Sequence, residues 1–191
     1  MASDVHETPI VSPIDCGAMP IVTLDGGTLT LLARPAGLGD RAQPSFVGRR
    51  QQHMHATAST AMRYRPAAPG DQAGITAFQN DDYYYLLTVT LANDQPVVQL
   101  EKKAWGTAEI VASAPLDLPA DGTVYLKIDA DADTYRFSYA LNPEDWITLG
   151  DAADARRCRR VTSRGRAERS PRARRVAGRR YHHAASSPHS R

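Results

Sequence analysis

Residues 43–66, QPSFVGRRQQHMHATASTAMRYRP, decide how the rest of the chain is read. The stretch opens on a dense polar cluster, Arg49, Arg50, Gln51, Gln52 and His53, and then alternates as far as Arg65. Met54, Ala56, Ala58, Thr60, Met62 and Tyr64 are small or apolar, and mostly polar side chains stand between them. Successive side chains leave a pleated strand on opposite sides, so this period of two predicts a strand, 53–65, with one face on a core. The arginine–glutamine run is too polar for a core and too compact for a linker.

Working outward, the same signature repeats. Ile21 to Ala33 carries Asp25-Gly26-Gly27 between two β-prone runs, a hairpin signal, and a Pro/Gly loop follows from Arg34 to Pro44. After Pro66 come Gln72 to Phe78, a polar turn at Gln79–Asp82, and Tyr83 to Leu91 (YYYLLTVTL), the strongest strand in the chain. Tyr83, Tyr85, Leu87, Val89 and Leu91 share its apolar face; Tyr84, Leu86, Thr88 and Thr90 share the other. Asn93-Asp94 turns the chain into Val97–Leu100, and strands are expected at Thr107–Ser113, Thr123–Asp129, Tyr135–Leu141 and Trp146–Leu149. Helical periodicity is nearly absent. About ten short strands punctuated by Gly, Pro, Asn and Asp predict an all-β sandwich of jelly-roll type.

Composition divides the chain. Residues 1–155 hold 10 Lys/Arg against 20 Asp/Glu, a net of −10, whereas residues 156–191 hold 13 Arg against one Glu, a net of +12. The expected organisation is a lead-in at 1–14, a sandwich over 15–155 and a disordered basic tail over 156–191, in which Val161 and Val176 are the only large aliphatic residues. No run approaches the ~18 apolar residues of a membrane span. MASDVHETP has acids and a proline where a secretory signal needs a basic start and an apolar centre, so a soluble chain without a signal peptide is expected, its location cytoplasmic or left unassigned. Cys16 and Cys158 suffice for neither a disulfide framework nor a zinc site.

Asp129, Asp131 and Asp133 alternate like calcium ligands, but an EF-hand loop counted from Asp129 meets Thr134 and Ala140 where Gly and an acid belong, so a solvated turn is expected. His53 and His55 share a side of one strand without a third ligand nearby, and no metal or cofactor is predicted. Acids fall in turns rather than as a catalytic pair, and no Ser–His–Asp order, phosphate loop or dinucleotide fingerprint is present. Arg49 and Arg50 suit a buried interface through the planar guanidinium fork, a sugar hydroxyl, or a structural pairing with Asp81, Asp82 or Glu101. Trp105, Trp146 and the three tyrosines offer a stacking platform. Alternation commits Tyr83 and Tyr85 to the core and leaves Tyr84 freer to meet a ligand. The basic tail has the charge of a nucleic-acid binder but no recognised module, and no nucleic-acid or membrane partner is predicted.

Ser45-Phe46-Val47-Gly48-Arg49-Arg50-Gln51-Gln52-His53, Ala73-Gly74-Ile75, Asn80, Tyr83–Tyr85, Val124–Ile128 and Tyr135–Trp146 (YRFSYALNPEDW) together resemble one family. They are similar, in order and at natural spacing over roughly residues 15–155, to the C-terminal concanavalin A-like domain of glycoside hydrolase family 43 β-xylosidases and α-L-arabinofuranosidases. The resemblance implies a non-catalytic accessory domain that packs on a five-bladed catalytic β-propeller and helps to wall its xylo-oligosaccharide pocket. It places Arg49, Arg50, Gln51, Gln52, His53 and Tyr84 as candidates for interdomain or sugar contact, and it implies that this chain alone is not a working glycosidase. A free-standing carbohydrate-binding module and one half of a split β-xylosidase are the alternatives. The family continues past the Trp146 strand with a further apolar strand, where this chain gives Arg156–Arg164 (RRCRRVTSR). The tail is therefore read as a frameshifted version of that final strand, whose loss exposes an edge and part of the core.

Overall fold

The computed structural model describes residues 22–40 and 42–156; the lead-in at 1–14 and the tail beyond residue 156 lie outside them. Eleven strands supply the regular structure: β1 (Val22–Asp25), β2 (Thr28–Leu31), β3 (His55–Arg63), β4 (Gln72–Asn80), β5 (Tyr83–Ala92), β6 (Gln95–Ala104), β7 (Glu109–Pro115), β8 (Thr123–Asp131), β9 (Thr134–Ala140), β10 (Ile147–Thr148) and β11 (Ala153–Asp154). All pairings are antiparallel. One sheet runs β4-β5-β6-β7; the other runs β10-β9-β8-β3, with β11 also pairing with β9. β1 and β2 form a separate two-stranded sheet.

Turn chemistry explains the tight connections. Gly26 (φ 52°) and Gly27 (φ 77°) are both left-handed, the geometry of a two-residue hairpin loop whose twist matches its strands. Asn93 (φ 50°) and Asp94 (φ 62°) do the same between β5 and β6, since short polar side chains tolerate that region best among non-glycine residues.

The core lies between the two large sheets. Leu87 and Val89 of β5 and Val98 and Leu100 of β6 face Val124, Leu126 and Ile128 of β8 and Tyr135, Phe137 and Tyr139 of β9. β8 shows the alternation most cleanly: Val124, Leu126 and Ile128 are buried, while Lys127 keeps its ammonium at the surface, 4.3 Å from the Trp146 ring centroid.

β5 departs from simple alternation, being buried on both faces from Tyr84 to Thr90. The loop before β3 covers the outer face at its upper end. The Phe46 ring packs on Phe78 (5.3 Å between centroids), Phe78 stacks on Tyr84 (6.3 Å), and Lys103 Nζ donates to the Gly39 carbonyl at 3.3 Å. A Cβ on Gly39 would stand 2.7 Å from that Nζ, so glycine permits the close approach.

β3 departs in the opposite sense. Its even-numbered positions from Ala58 to Met62 lie beside the buried Ile128, Leu126 and Val124 of β8, yet Ala58 and Thr60 are exposed, and only Ala56 and Met62 are half-buried. The expectation that the whole alternating face of 53–65 is buried is corrected here: among the described residues β3 is a terminal strand, and its inner face extends past the cover that the opposing sheet provides.

Candidate functional site

The 49–53 segment leads into β3, and one side chain ties it to the core. Tyr135 Oη donates to Gln51 Oε1 at 2.9 Å, and Gln51 Nε2 donates to the His53 carbonyl at 2.7 Å. Gln51 is half-buried and acts as an anchor, while Arg49, Arg50, Gln52 and His53 remain exposed around it. Tyr135 packs edge-on against Tyr85 (6.3 Å), whose hydroxyl donates to the Asp154 carbonyl at 3.2 Å. These contacts bring the starts of β3, β5 and β9 to one end of the sandwich. The same end carries exposed Met54 and Trp105.

His55 turns aside from any shared site with His53, because its Nδ1 lies 3.0 Å from Asp131 Oδ1. Asp129 accepts from the Thr57 hydroxyl at 2.7 Å and pairs with Lys127 at 3.6 Å; Asp133, in the β8–β9 turn, faces Arg156 at 3.5 Å. Among the described residues no three His, Cys, Asp or Glu side chains lie close enough to hold a metal ion.

Tyr84 is not the free ring that alternation implied. It is 4% exposed, and its hydroxyl donates to Glu101 Oε1 at 2.7 Å. Burial first, and then the Glu101 carboxylate, hold its phenol well above the usual tyrosine range. The cause of the correction is the covering loop, which parity along one strand cannot reveal. Glu101 is thereby taken up by Tyr84. Above Tyr84 and Leu86 a cleft of about 440 Å³ opens between residues 35–40 and 106–108, with Asp40, Gln72, Lys103 and Thr107 on its walls.

Trp105 and Trp146 do not form a joint platform. Trp105 follows β6, is 65% exposed and has φ 65°, with its ring edge-on to Tyr83 at 5.5 Å. A bulky side chain in the left-handed region is uncommon and strained. Trp146 is half-buried on the outside of the other sheet, beneath Lys127.

The β1–β2 hairpin carries a surface outside the candidates read from the sequence. In the β1–β2 register Val22 pairs with Leu31 and Leu24 with Leu29, so four apolar side chains share one face and Thr23, Thr30, Asp25 and Thr28 share the other. That apolar face is open: Leu24 is 68% exposed, with Leu29, Leu31 and the adjoining Leu32 also exposed. The signal was present in the sequence as alternation on both sides of Gly26-Gly27.

Two antiparallel sheets around one apolar core, with open aromatic, cationic and aliphatic surfaces at the margins, define an all-β sandwich module. The chain belongs to the family of β-xylosidase C-terminal concanavalin A-like domains, which matches residues 19–167. It is 32% identical over 111 residues to a non-reducing end α-L-arabinofuranosidase of Bacteroides ovatus, covering 58% of this chain and 21% of that protein. It is 30% identical over 120 residues to a xylan 1,3-β-xylosidase of a Vibrio species, covering 62% and 22%. A solved GH43_12 structure from a capybara gut metagenome superposes with a TM-score of 0.63 at 30% identity, covering 71% of this chain and 26% of that one. A xylan β-1,4-xylosidase from Bacillus halodurans, at 24% identity and a TM-score of 0.62, shares the fold. The chain thus spans about a fifth to a quarter of the length of the curated relatives it matches.

Proposed function

We propose that this domain is the accessory sandwich of a family 43 β-xylosidase, docking on a catalytic β-propeller and helping to shape its xylo-oligosaccharide pocket without supplying catalytic groups. The observation that carries this reading is the amphipathic β1–β2 hairpin with its apolar face open. A lone two-stranded hairpin is marginal in water, and a face of several leucines is a surface built to be covered. Exposed Phe46 extends the apolar character along the loop, because the Ser45 hydroxyl bonds to the Leu32 carbonyl and holds the two segments together. Arg49, Arg50, Gln52 and His53, positioned through Gln51, would add polar specificity at such an interface.

The test mixes this chain with a family 43 propeller produced without its sandwich and follows an aryl β-xyloside. The chain alone is expected to release nothing, and together the two are expected to exceed the propeller alone. Leu24→Asp with Leu29→Asp should weaken that gain about tenfold or more, as truncation of central apolar anchors does, while the circular dichroism of the chain stays unchanged. Hydrolysis by the chain unaided, or no gain with both partners folded, overturns the proposal. A propeller encoded immediately upstream without a sandwich of its own would favour the split-enzyme form.

A second reading, a free-standing carbohydrate-binding module, has the cleft over Tyr84 in its favour, since it offers hydroxyl partners beside an aromatic floor. Calorimetric titration with xylobiose separates the two readings: the accessory role predicts no heat from the isolated chain. The frameshift reading of the tail is tested by sequencing the coding DNA, where one base change should restore an apolar strand.

A further inference from the structure

We propose that the open edge of β3 is a self-association site, at which two copies of this chain pair antiparallel about a two-fold axis through Ser59. β3 is the last strand of its sheet and pairs only with β8 among the described residues. Its edge runs His55–Arg63, HATASTAMR, with neither charge nor proline from Ala56 to Met62. Those are the devices by which sheet edges are normally kept from pairing with other chains. A strand whose outer edge is unpaired presents a row of backbone donors and acceptors, and another extended strand satisfies them.

Position along the sheet argues that something belongs there. Ala58 and Thr60 are exposed, although across the ladder they meet Ile128 and Leu126, which are buried. β4, the terminal strand of the opposing sheet, leaves Ala73, Ile75 and Ala77 only half-buried. Among the described residues the sandwich is therefore open on one side, with core positions reaching its rim.

A second copy fits because β3 is nearly symmetric about its centre. Centred on Ser59, the pairing sets Ala58 against Thr60, Thr57 against Ala61, Ala56 against Met62 and His55 against Arg63. The inner face then continues across the axis as small or apolar residues. The charges at the ends are complementary. At one end lie Asp129, Asp131 and Asp133, two of them offset by Lys127 and Arg156, with His55 bonded to Asp131. At the other lie Arg63 and Arg65 with Asp121, whose carboxyl is held low chiefly by its Thr123 hydrogen bonds and to a lesser degree by Arg63. Two-fold antiparallel pairing brings Arg63 of each copy beside the His55–Asp131 pair of the other, twice over, and an isologous contact of this kind closes at a dimer.

Sedimentation equilibrium of the full chain is expected to show a monomer–dimer equilibrium that weakens as salt rises. Ser59→Lys places two ammonium groups across the axis and should raise the dissociation constant about tenfold or more, with an unchanged melting curve at monomeric dilution. Ser59→Cys, in a chain carrying Cys16→Ser and Cys158→Ser, should oxidise to a covalent dimer. Ala61→Cys in the same background should not, because the two copies of residue 61 would stand about 14 Å apart, beyond disulfide reach. A monomer at all concentrations, open-ended aggregates, or cross-linking through residue 61 rather than 59 overturns the proposal.

Discussion

Deleting the hydroxyl of Tyr135 asks whether the 49–53 segment is held in place or merely lies on the surface. Tyr135 is buried, and Gln51 is half-buried, so their 2.9 Å bond is shielded from water on one side. Tyr135→Phe takes the donor from Gln51 Oε1 and should cost about 1–2 kcal/mol, the usual penalty for breaking a partly buried hydrogen bond. Gln51→Leu removes that acceptor together with the 2.7 Å bond to the His53 carbonyl, so about 1–3 kcal/mol is expected. The double variant should lose less than the sum, with a coupling of about 1 kcal/mol, because the second change has less left to break. Urea unfolding followed by tryptophan fluorescence measures all four proteins, and unchanged denaturant slopes would license the comparison. Additivity to within about 0.3 kcal/mol would refute the anchoring argument. It would then also follow that the arginines beside Gln51 are not presented by the core.

Two further perturbations probe the sheets. A Cβ on Gly74 would lie 1.9 Å from the Leu87 carbonyl oxygen and 2.8 Å from the Leu87 carbonyl carbon and Thr88 Cα, all backbone of the neighbouring strand; Gly74→Ala should therefore cost about 3 kcal/mol or more in urea unfolding. Gly70→Ala is the control: nothing lies within 4 Å of its added Cβ, but its φ of 94° makes alanine strained, and a loss of about 1 kcal/mol is expected. Tyr84 supplies a pH dependence. Its pKa is raised in the folded state, so the folded chain holds that proton more tightly than the unfolded one. Stability from this group is complete below ~10 and is lost as pH rises beyond it. Tyr84→Phe should flatten that alkaline decline in a series of urea melts, and an unchanged slope would count against the cause given.

Much of the sandwich was legible because side-chain parity and turn chemistry are local properties. Asp25-Gly26-Gly27 and Asn93-Asp94 could be read as reversals from residue type alone, and Val124–Ile128 announced its buried side by alternation. Boundaries were less legible. β6 was expected to end at Leu100, where apolar residues stop, but it continues through Glu101, Lys102 and Lys103 to Ala104. It does so because the facing residues Tyr83 to Leu86 keep their ladder partners. β7 starts two residues later than expected and is bulged opposite Leu100 and Glu101. β11 has no pattern to find, being two residues set by pairing with β9, with Ala155 N donating to the Asp133 carbonyl just beyond. The candidate site was the least legible part. Parity assigned Tyr84 correctly to the outer face, but what lies over that face depends on a loop about forty residues earlier. Gln51 stood in a run of polar residues with nothing to mark it as the one that turns inward.

That loop also joins properties that could otherwise be separate. The segment 42–46 bonds back to Leu32 at the end of the hairpin through the Ser45 hydroxyl, and Arg34 donates to Gln43 at 3.4 Å beside it. The loop seals the outer face of β5 through Phe46, Phe78 and Gly39. Whatever covers the hairpin therefore restrains the segment that completes burial of Tyr84, and the two are thermodynamically linked. A partner that binds only the ordered arrangement stabilises the sandwich by mass action. The leucines of β1 and β2, far from the Leu87–Phe137 core in function, thus influence how firmly that core is closed. A partner docked on the hairpin would therefore raise the stability of the whole sandwich.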